Sequence, residues 1–237
     1  TFYNLVFSNT AGFTISSGNV TASNALTLTS GVVTTGTNTL YFSSTTTCSV
    51  TRTSGYVNGK LRKRFVPTTQ IACNFEVGDS SATTHYTPLN VSFAAVSAAG
   101  SLTVAVKGGT GASATADDHP QVIDESAALD SANSINRYWM LVPADGLSFS
   151  NATLTFTHLD DATWLDHDNG TANVTRYIVK QLTLSDAICS DAVSYNGSWS
   201  TTTASGTQTL TQTAVTGISS FGTNCSHFAI GRSTISS

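Results

Sequence analysis

Between Thr1 and Ser44 short apolar runs recur at close intervals among Gly, Asn, Ser and Thr: FYNLVF, GFTI, NALTL, GVVTTG and NTLYF. Runs of this length, bounded by turn formers, are strands joined by tight turns. Their recurrence is the pattern of a β-solenoid rung or of a β-meander. The pattern is already under way at Thr1, with no initiator Met, signal peptide or polar cap before it. The expectation is therefore a processed or excised piece whose first rung needs a neighbour.

The remainder continues in strands. CSVTRTSGYVNGKLRKRFVP reads as a hairpin turning at Asn58-Gly59, because two residues tolerant of positive φ suit a tight turn. IACNFEVGDSSATTHYTPLNVSFAAVS reads as two strands around a polar loop, followed by the strand SLTVAVKGG, and residues 108–120 are a small-residue loop. A helical turn is expected at about 124–132, before a strand through Tyr138 and Trp139, with Trp139 in the core. LSFSNATLTFTHL, TRYIVKQLTL and the closing segment to Gly231 are further strands, and no segment keeps helical periodicity over ten residues. The expected fold is all-β: an antiparallel β-sandwich with an N-terminal β-solenoid-like or meander unit. The solenoid-like unit takes 1–46 and the sandwich 47–237, as one unit or as two packed units divided near 108–120.

Only 10% of residues are charged while 40% are hydrophobic, and Ser plus Thr supply 72 of 237, so hydroxyls rather than ions hydrate the surface. Such a Thr-rich, weakly charged surface is that of secreted β proteins rather than cytosolic enzymes. The net charge of −4 gives no argument for a nucleic-acid partner. No run approaches the roughly 18–20 apolar residues of a membrane helix, so no membrane insertion is expected. The basic run Lys60, Arg62, Lys63 and Arg64, alternating with Leu61 and Phe65, reads as a solvated strand face that discourages edge pairing.

Four cysteines, Cys48, Cys73, Cys189 and Cys225, fit no zinc-ligand spacing. An even count in a secreted-type chain favours two disulfides, and the sequence-local pairing joins Cys48 with Cys73 and Cys189 with Cys225. Four free thiols in a reducing compartment are the alternative.

Carboxylates gather at Asp117-Asp118 and at Asp160, Asp161, Asp166 and Asp168. Asp166 and Asp168 begin like a calcium loop, but Gly170 falls one position early and Tyr177 stands where the closing acid belongs. A helix-flanked calcium loop is excluded and a looser calcium site is the remaining metal candidate; no other cofactor is expected. Paired carboxylates also serve glycoside hydrolysis, but the tryptophans that would line a sugar groove are scattered, with Trp164 in the acidic loop the one placed for sugar contact. There is no GxSxG elbow, and Gly108-Gly109-Thr110-Gly111 lacks the Lys-Ser/Thr of a phosphate loop. No catalytic residue is assigned. Of seven Asn-x-Ser/Thr sequons, Asn169 and Asn173 in the acidic loop are glycosylation candidates.

An ordered set of segments, the opening FYNLVF…LTLTSGVVTTGTNTLYF, then GYVNGKLRKRF, FEVGD…YTPLNVSF, DDHP, INRYW and FAIG, spans residues 1–231. In this order and spacing the chain resembles a β-rich module of large secreted cell-surface proteins of Bacteroidetes and related bacteria, exported by type IX secretion. The resemblance implies an extracellular, adhesin-like module and carries over no catalytic residues. It adds Ser131, within Asp130-Ser131-Ala132, as an O-glycosylation candidate. The chain departs from the pattern in its cysteine pairs and in having no sorting domain after Ser237.

The expected function is a non-enzymatic extracellular structural module, the subunit of a surface filament or sheath or a repeat of a long adhesin. Further copies would associate head to tail by β-strand completion, through Phe2, Leu5, Val6 and Phe7 of the opening strand or Phe228 and Ile230 of the closing one. A carbohydrate-binding module, with surface glycans as partners, is the second reading and a secreted hydrolase the third.

Overall fold

In the opening segment, residues about 20 apart carry matching side chains, and that spacing is what stacks them. In the computed structural model Phe13 lies beside Val33, Val33 beside Val57 and Val57 beside Val77. On a second face Phe2, Ala22, Phe42 and Lys63 lie side by side, and on a third Phe7, Leu28 and Arg52. All these pairings are parallel, which makes the unit a β-solenoid of about four turns and rules out a meander, whose strands would alternate in direction. The structure describes residues 1–79, 85–108, 129–160, 177–185, 188–196, 198–204, 207–218 and 225–233, with side chains for 1–79, 86–107, 138–157, 218 and 228.

The rungs are built from β1 (Phe2–Ser8), β2 (Phe13–Thr14), β3 (Val20–Ser30), β4 (Val32–Phe42), β5 (Thr51–Arg52), β6 (Tyr56–Phe65) and β8 (Val77–Asp79), and β7 (Ile71–Phe75) leaves the stack between the last two. Inward residues alternate with outward ones, so Ala22, Leu26, Leu28, Val33, Leu40 and Phe42 are buried in the stack. The expected hairpin at Asn58-Gly59 does not form. Both halves of β6 find parallel neighbours in β4, at Val32–Thr34 and at Thr39–Phe42, so the strand runs straight through and only β4 loops outward between them. Gly59 takes φ +120° there because the buried Thr35 lies against it; a Cβ at Gly59 would stand 2.1 Å from the Thr35 hydroxyl, which accepts a 2.9 Å hydrogen bond from Lys60 N.

β6 is also where the architecture changes. One side continues the parallel stack, and the other pairs antiparallel with β12 (Gly100–Gly108). From there one sheet runs on through β13 (Leu129–Ala144), β20 (Cys225–Ser233) and β16 (Tyr177–Ser185) to β17 (Ile188–Asn196). Facing it is a second sheet, in the order β18 (Ser198–Ala204), β19 (Thr207–Ile218), β15 (Ala152–Asp160), β10 (Leu89–Phe93) and β7. The remaining strands are short: β9 (His85–Tyr86) pairs with β8, and β11 (Val96–Ala98) with β14 (Ser148–Phe149). Phe65, Phe75 and Phe93 stack between the sheets, with Phe65 and Phe93 edge to face at 5.0 Å. Trp139 is buried as expected, its ring 4.9 Å from Phe156, and its Nε1 donates to Thr87 O at 3.2 Å.

A single buried cluster runs from Phe7 in the first rung to Phe228 in the sandwich. The parallel stack passes residue 46 and continues through β6 to β8, so the two architectures meet along β6 rather than at a linker. Of the helical turn expected at about 124–132, residues 129–132 belong to strand β13 and the rest lie outside the described residues.

Candidate functional site: an open rung edge and a buried joint

Alternation along β6 sends Leu61, Lys63 and Phe65 inward and leaves Arg62 and Arg64 on the outer face. This overturns the reading of the basic run as a solvated edge. β6 lies between β4 and β12, and Lys63 is 0% exposed. Its ammonium has three protons, and each has an acceptor: Cys48 O at 2.9 Å, Asn74 O, and Glu76 Oε2 at 2.8 Å. Burial lowers the Lys63 pKa and raises that of Glu76, while their mutual attraction opposes both shifts. With every proton accepted and a carboxylate in contact, the pair is retained as an ion pair.

Cys48 and Cys73 form the disulfide expected of them, with Cα atoms 5.8 Å apart. Cys48 lies in the segment 43–50 between two rungs, and Cys73 on β7, the edge of the second sheet. The bridge and the Lys63 ammonium therefore tie the same places together: a rung connection, the shared strand β6, and β7 with the turn after it. Tyr56 donates to Asp79 O at 2.8 Å and Asn74 Nδ2 donates to the Tyr86 hydroxyl at 3.1 Å, closing the joint from the β8 side. On the outer face the Arg62 guanidinium lies 4.7 Å from the Tyr41 ring, donates from Nε to Ser101 Oγ at 2.7 Å and pairs with Asp145. The Ser101 hydroxyl bond and then Arg62 hold the Asp145 carboxyl below its usual pKa.

At the other end β1 is the outermost strand and pairs with β3 alone among the described strands. Phe2, Tyr3 and Val6 are 51%, 71% and 59% exposed. Leu5 and Phe7 turn inward, and Phe7 packs edge to face on Phe13 at 5.0 Å, so the chain's own residues already cover that half of the strand. Asn24 Nδ2 donates to Asn4 Oδ1 at 2.8 Å, a side-chain hydrogen bond between the second rung and β1.

The closing strand is different from expectation. β20 is flanked by β13 and β16, with Phe228 beside Trp139 on one side and Gln181 on the other, and Ile230 beside Val179. Phe228 is fully buried. Neither residue is at an edge, and strand completion through them is excluded because both sides of the ladder are occupied. Cys189 and Cys225 lie on β17 and β20, each opposite Leu184 of the strand between them. Two strand spacings, about 9.5 Å, separate such positions, beyond the roughly 7 Å limit of a disulfide. This register does not bring them together.

Ser131 lies on β13, and its side chain is not among those described; Asp166, Asp168, Asn169, Asn173 and Trp164 lie outside the described residues. Among the described residues no group of three or more His, Cys, Asp or Glu side chains is placed to hold a metal. No helix among them is long and apolar enough to cross a membrane. Glu76 was missed from the sequence, although it sits thirteen residues after Lys63 in the quoted FEVGD segment. No family model matches the chain, and no curated protein or solved structure matches it.

Proposed function

We propose that this chain is a non-enzymatic extracellular structural module that joins further copies of itself head to tail through the edge of β1. The observation that carries the reading is the contrast between the ends of the stack: the joint at β6 is closed by a disulfide and a buried ion pair, whereas the outer side of β1 has no partner among the described strands and lies beside exposed Phe2, Tyr3 and Val6. The opposite edge of the same long sheet is β17, so β1 of one copy against β17 of the next continues the sheet. A heterologous contact of this kind closes only where its rotation makes a ring, so an extended filament is the expected product.

Low charge, abundant Ser and Thr and the Cys48–Cys73 bridge support an extracellular setting. The segments that carry the likeness to type IX-exported surface modules of Bacteroidetes meet in the fold, while the likeness itself belongs to this proposal. GYVNGKLRKRF supplies Lys63, FEVGD supplies Glu76, YTPLNVSF supplies Thr87 and INRYW supplies Trp139, and all four serve the joint or the core beside it.

Sedimentation of the purified chain over a wide concentration range, with electron microscopy of the same samples, tests the proposal. Association that a Tyr3→Lys/Val6→Lys variant abolishes, with an unchanged melting temperature, is the expected result. A wild-type chain that stays monomeric at millimolar concentration overturns it. A carbohydrate-binding module is the second reading, favoured by a polar cleft at one solenoid corner.

A further inference from the structure

Three residues before each member of the Phe13–Val33–Val57 ladder stand Thr10, Ser30 and Ser54, so the rung register brings hydroxyl residues together at one solenoid corner. They line a cleft of about 290 Å³ with Arg52 and Tyr86. Gly31 lines the cleft with φ +79°, and a Cβ there would stand 1.8 Å from Asn9 O, while one at Gly55 would stand 3.1 Å from Gly31 O, so the corner backbone is closely packed at both positions.

Arg52 is held in place at this corner. Its Nε donates to Gly55 O at 2.7 Å, its Nη2 to Ser54 O at 3.0 Å, and the guanidinium lies 3.5 Å from the centre of the Tyr86 ring. These contacts leave Nη1 without a partner among the described residues. The Thr10 and Ser30 hydroxyls likewise have none, and no carboxylate among the described residues lines the cleft. Glu76 feels the Arg52 charge, but its carboxylate is engaged by Lys63. A stacked, oriented guanidinium beside the Thr10 and Ser30 hydroxyls, with the Ser54 hydroxyl donated to Thr29 O at 3.0 Å, matches a ligand with one planar anion on a ring of hydroxyls. The volume is at the lower end of the roughly 300–1,000 Å³ typical of small-molecule sites, so it admits one ring rather than a stretch of polymer.

We infer that this corner is a subsite for a carboxylated sugar, a uronic acid or similar acidic residue of a glycan. Its carboxylate pairs with Arg52 and its hydroxyls meet Thr10 and Ser30. The inference is independent of assembly through β1. The test is an amide NMR titration of the full chain with glucuronate, with glucose and acetate as controls. Expected are saturable shifts at Gly31, Ser54 and Gly55 with glucuronate, about tenfold weaker binding of either control, and about tenfold loss in Arg52→Lys at an unchanged melting temperature. Should Arg52→Lys fail to fold, Ser30→Ala, which removes a hydroxyl with no partner among the described residues, must still weaken glucuronate binding. No saturable shift with glucuronate, equal binding of acetate or glucose, or full binding by the folded Arg52→Lys or Ser30→Ala variant overturns the inference.

Discussion

The first and the last turns of the solenoid share a strand pattern and differ in what covers them. At β1 the outer residues Phe2, Tyr3 and Val6 remain in water and the side of the strand away from β3 has no partner among the described strands. At β6 the same kind of strand has neighbours on both sides, and a sandwich closes over its inner face. The stacking scheme therefore extends indefinitely in principle, and something specific must end it. Here the end is marked by a buried cation with three acceptors and by a disulfide to the facing sheet. A buried ion pair contributes little net stability compared with apolar residues of equal volume, and its use lies in specifying one register. Lys63 finds its acceptors only when β6, the Cys48 segment and the turn at Glu76 are all in place.

The sharpest way to break the contrast is Lys63→Met, which leaves the Glu76 carboxylate buried without its cation. A loss of about 3–5 kcal/mol in denaturant unfolding is expected, and Lys63→Met/Glu76→Leu should recover most of it. A double variant no more stable than the single one would show that the cation itself, not the unpaired acid, matters. Removing the bridge with Cys48→Ser/Cys73→Ser should cost about 3–4 kcal/mol, from the loop closed across a separation of 25 residues. Reduction of the wild-type protein should lower its unfolding free energy by the same amount.

Within β1 the two faces should separate in the same assay. Phe7→Ala removes a buried ring packed on Phe13 and should cost about 3 kcal/mol, whereas Val6→Ala, on the exposed side, should change monomer stability by less than about 0.5 kcal/mol. Equal costs would mean that Val6 is covered in solution. A small, pH-dependent effect belongs to Asp145 on the outer face of the joint. Its folded pKa lies below the ordinary 3.8, so its contribution is present above that value and is lost as the pH falls through the folded one. Because its side chain is 47% exposed, the contribution is under about 1 kcal/mol and salt weakens it. Asp145→Asn should flatten that acid limb of the stability profile at low ionic strength and leave neutral pH almost unchanged.

Much of the fold was readable from local pattern. Short alternating runs identify strands wherever they pair, Trp139 amid apolar neighbours reads as core, and Cys48 and Cys73 read as a local bridge. The exceptions share a cause. Asn58-Gly59 is a good hairpin turn in isolation, but β4 offers parallel neighbours to both halves of β6, and that pairing prevails over turn preference. Residues 129–132 join a long strand because β20 lies alongside, with Leu129 opposite Ser233. At the candidate sites the hydroxyl corner was invisible, since Thr10, Ser30 and Ser54 are ordinary turn residues until the rungs bring them into register.

By itself the sequence determined that the chain is all-β, that its opening repeats at rung spacing, and that Phe2 to Phe7 form a strand with one inward and one outward face. Those properties follow from side-chain shape and two-residue alternation, which act over a few residues. Only the tertiary structure decided that the rungs stack in parallel, that Phe228 and Ile230 lie inside the sheet while Phe2 and Val6 stay near its edge, and that Lys63 points inward. Strand neighbours are chosen by contacts far apart in the chain. Lys63 shares its face with Leu61 and Phe65, and it can be buried there because folding delivers Glu76 and two backbone carbonyls to its ammonium.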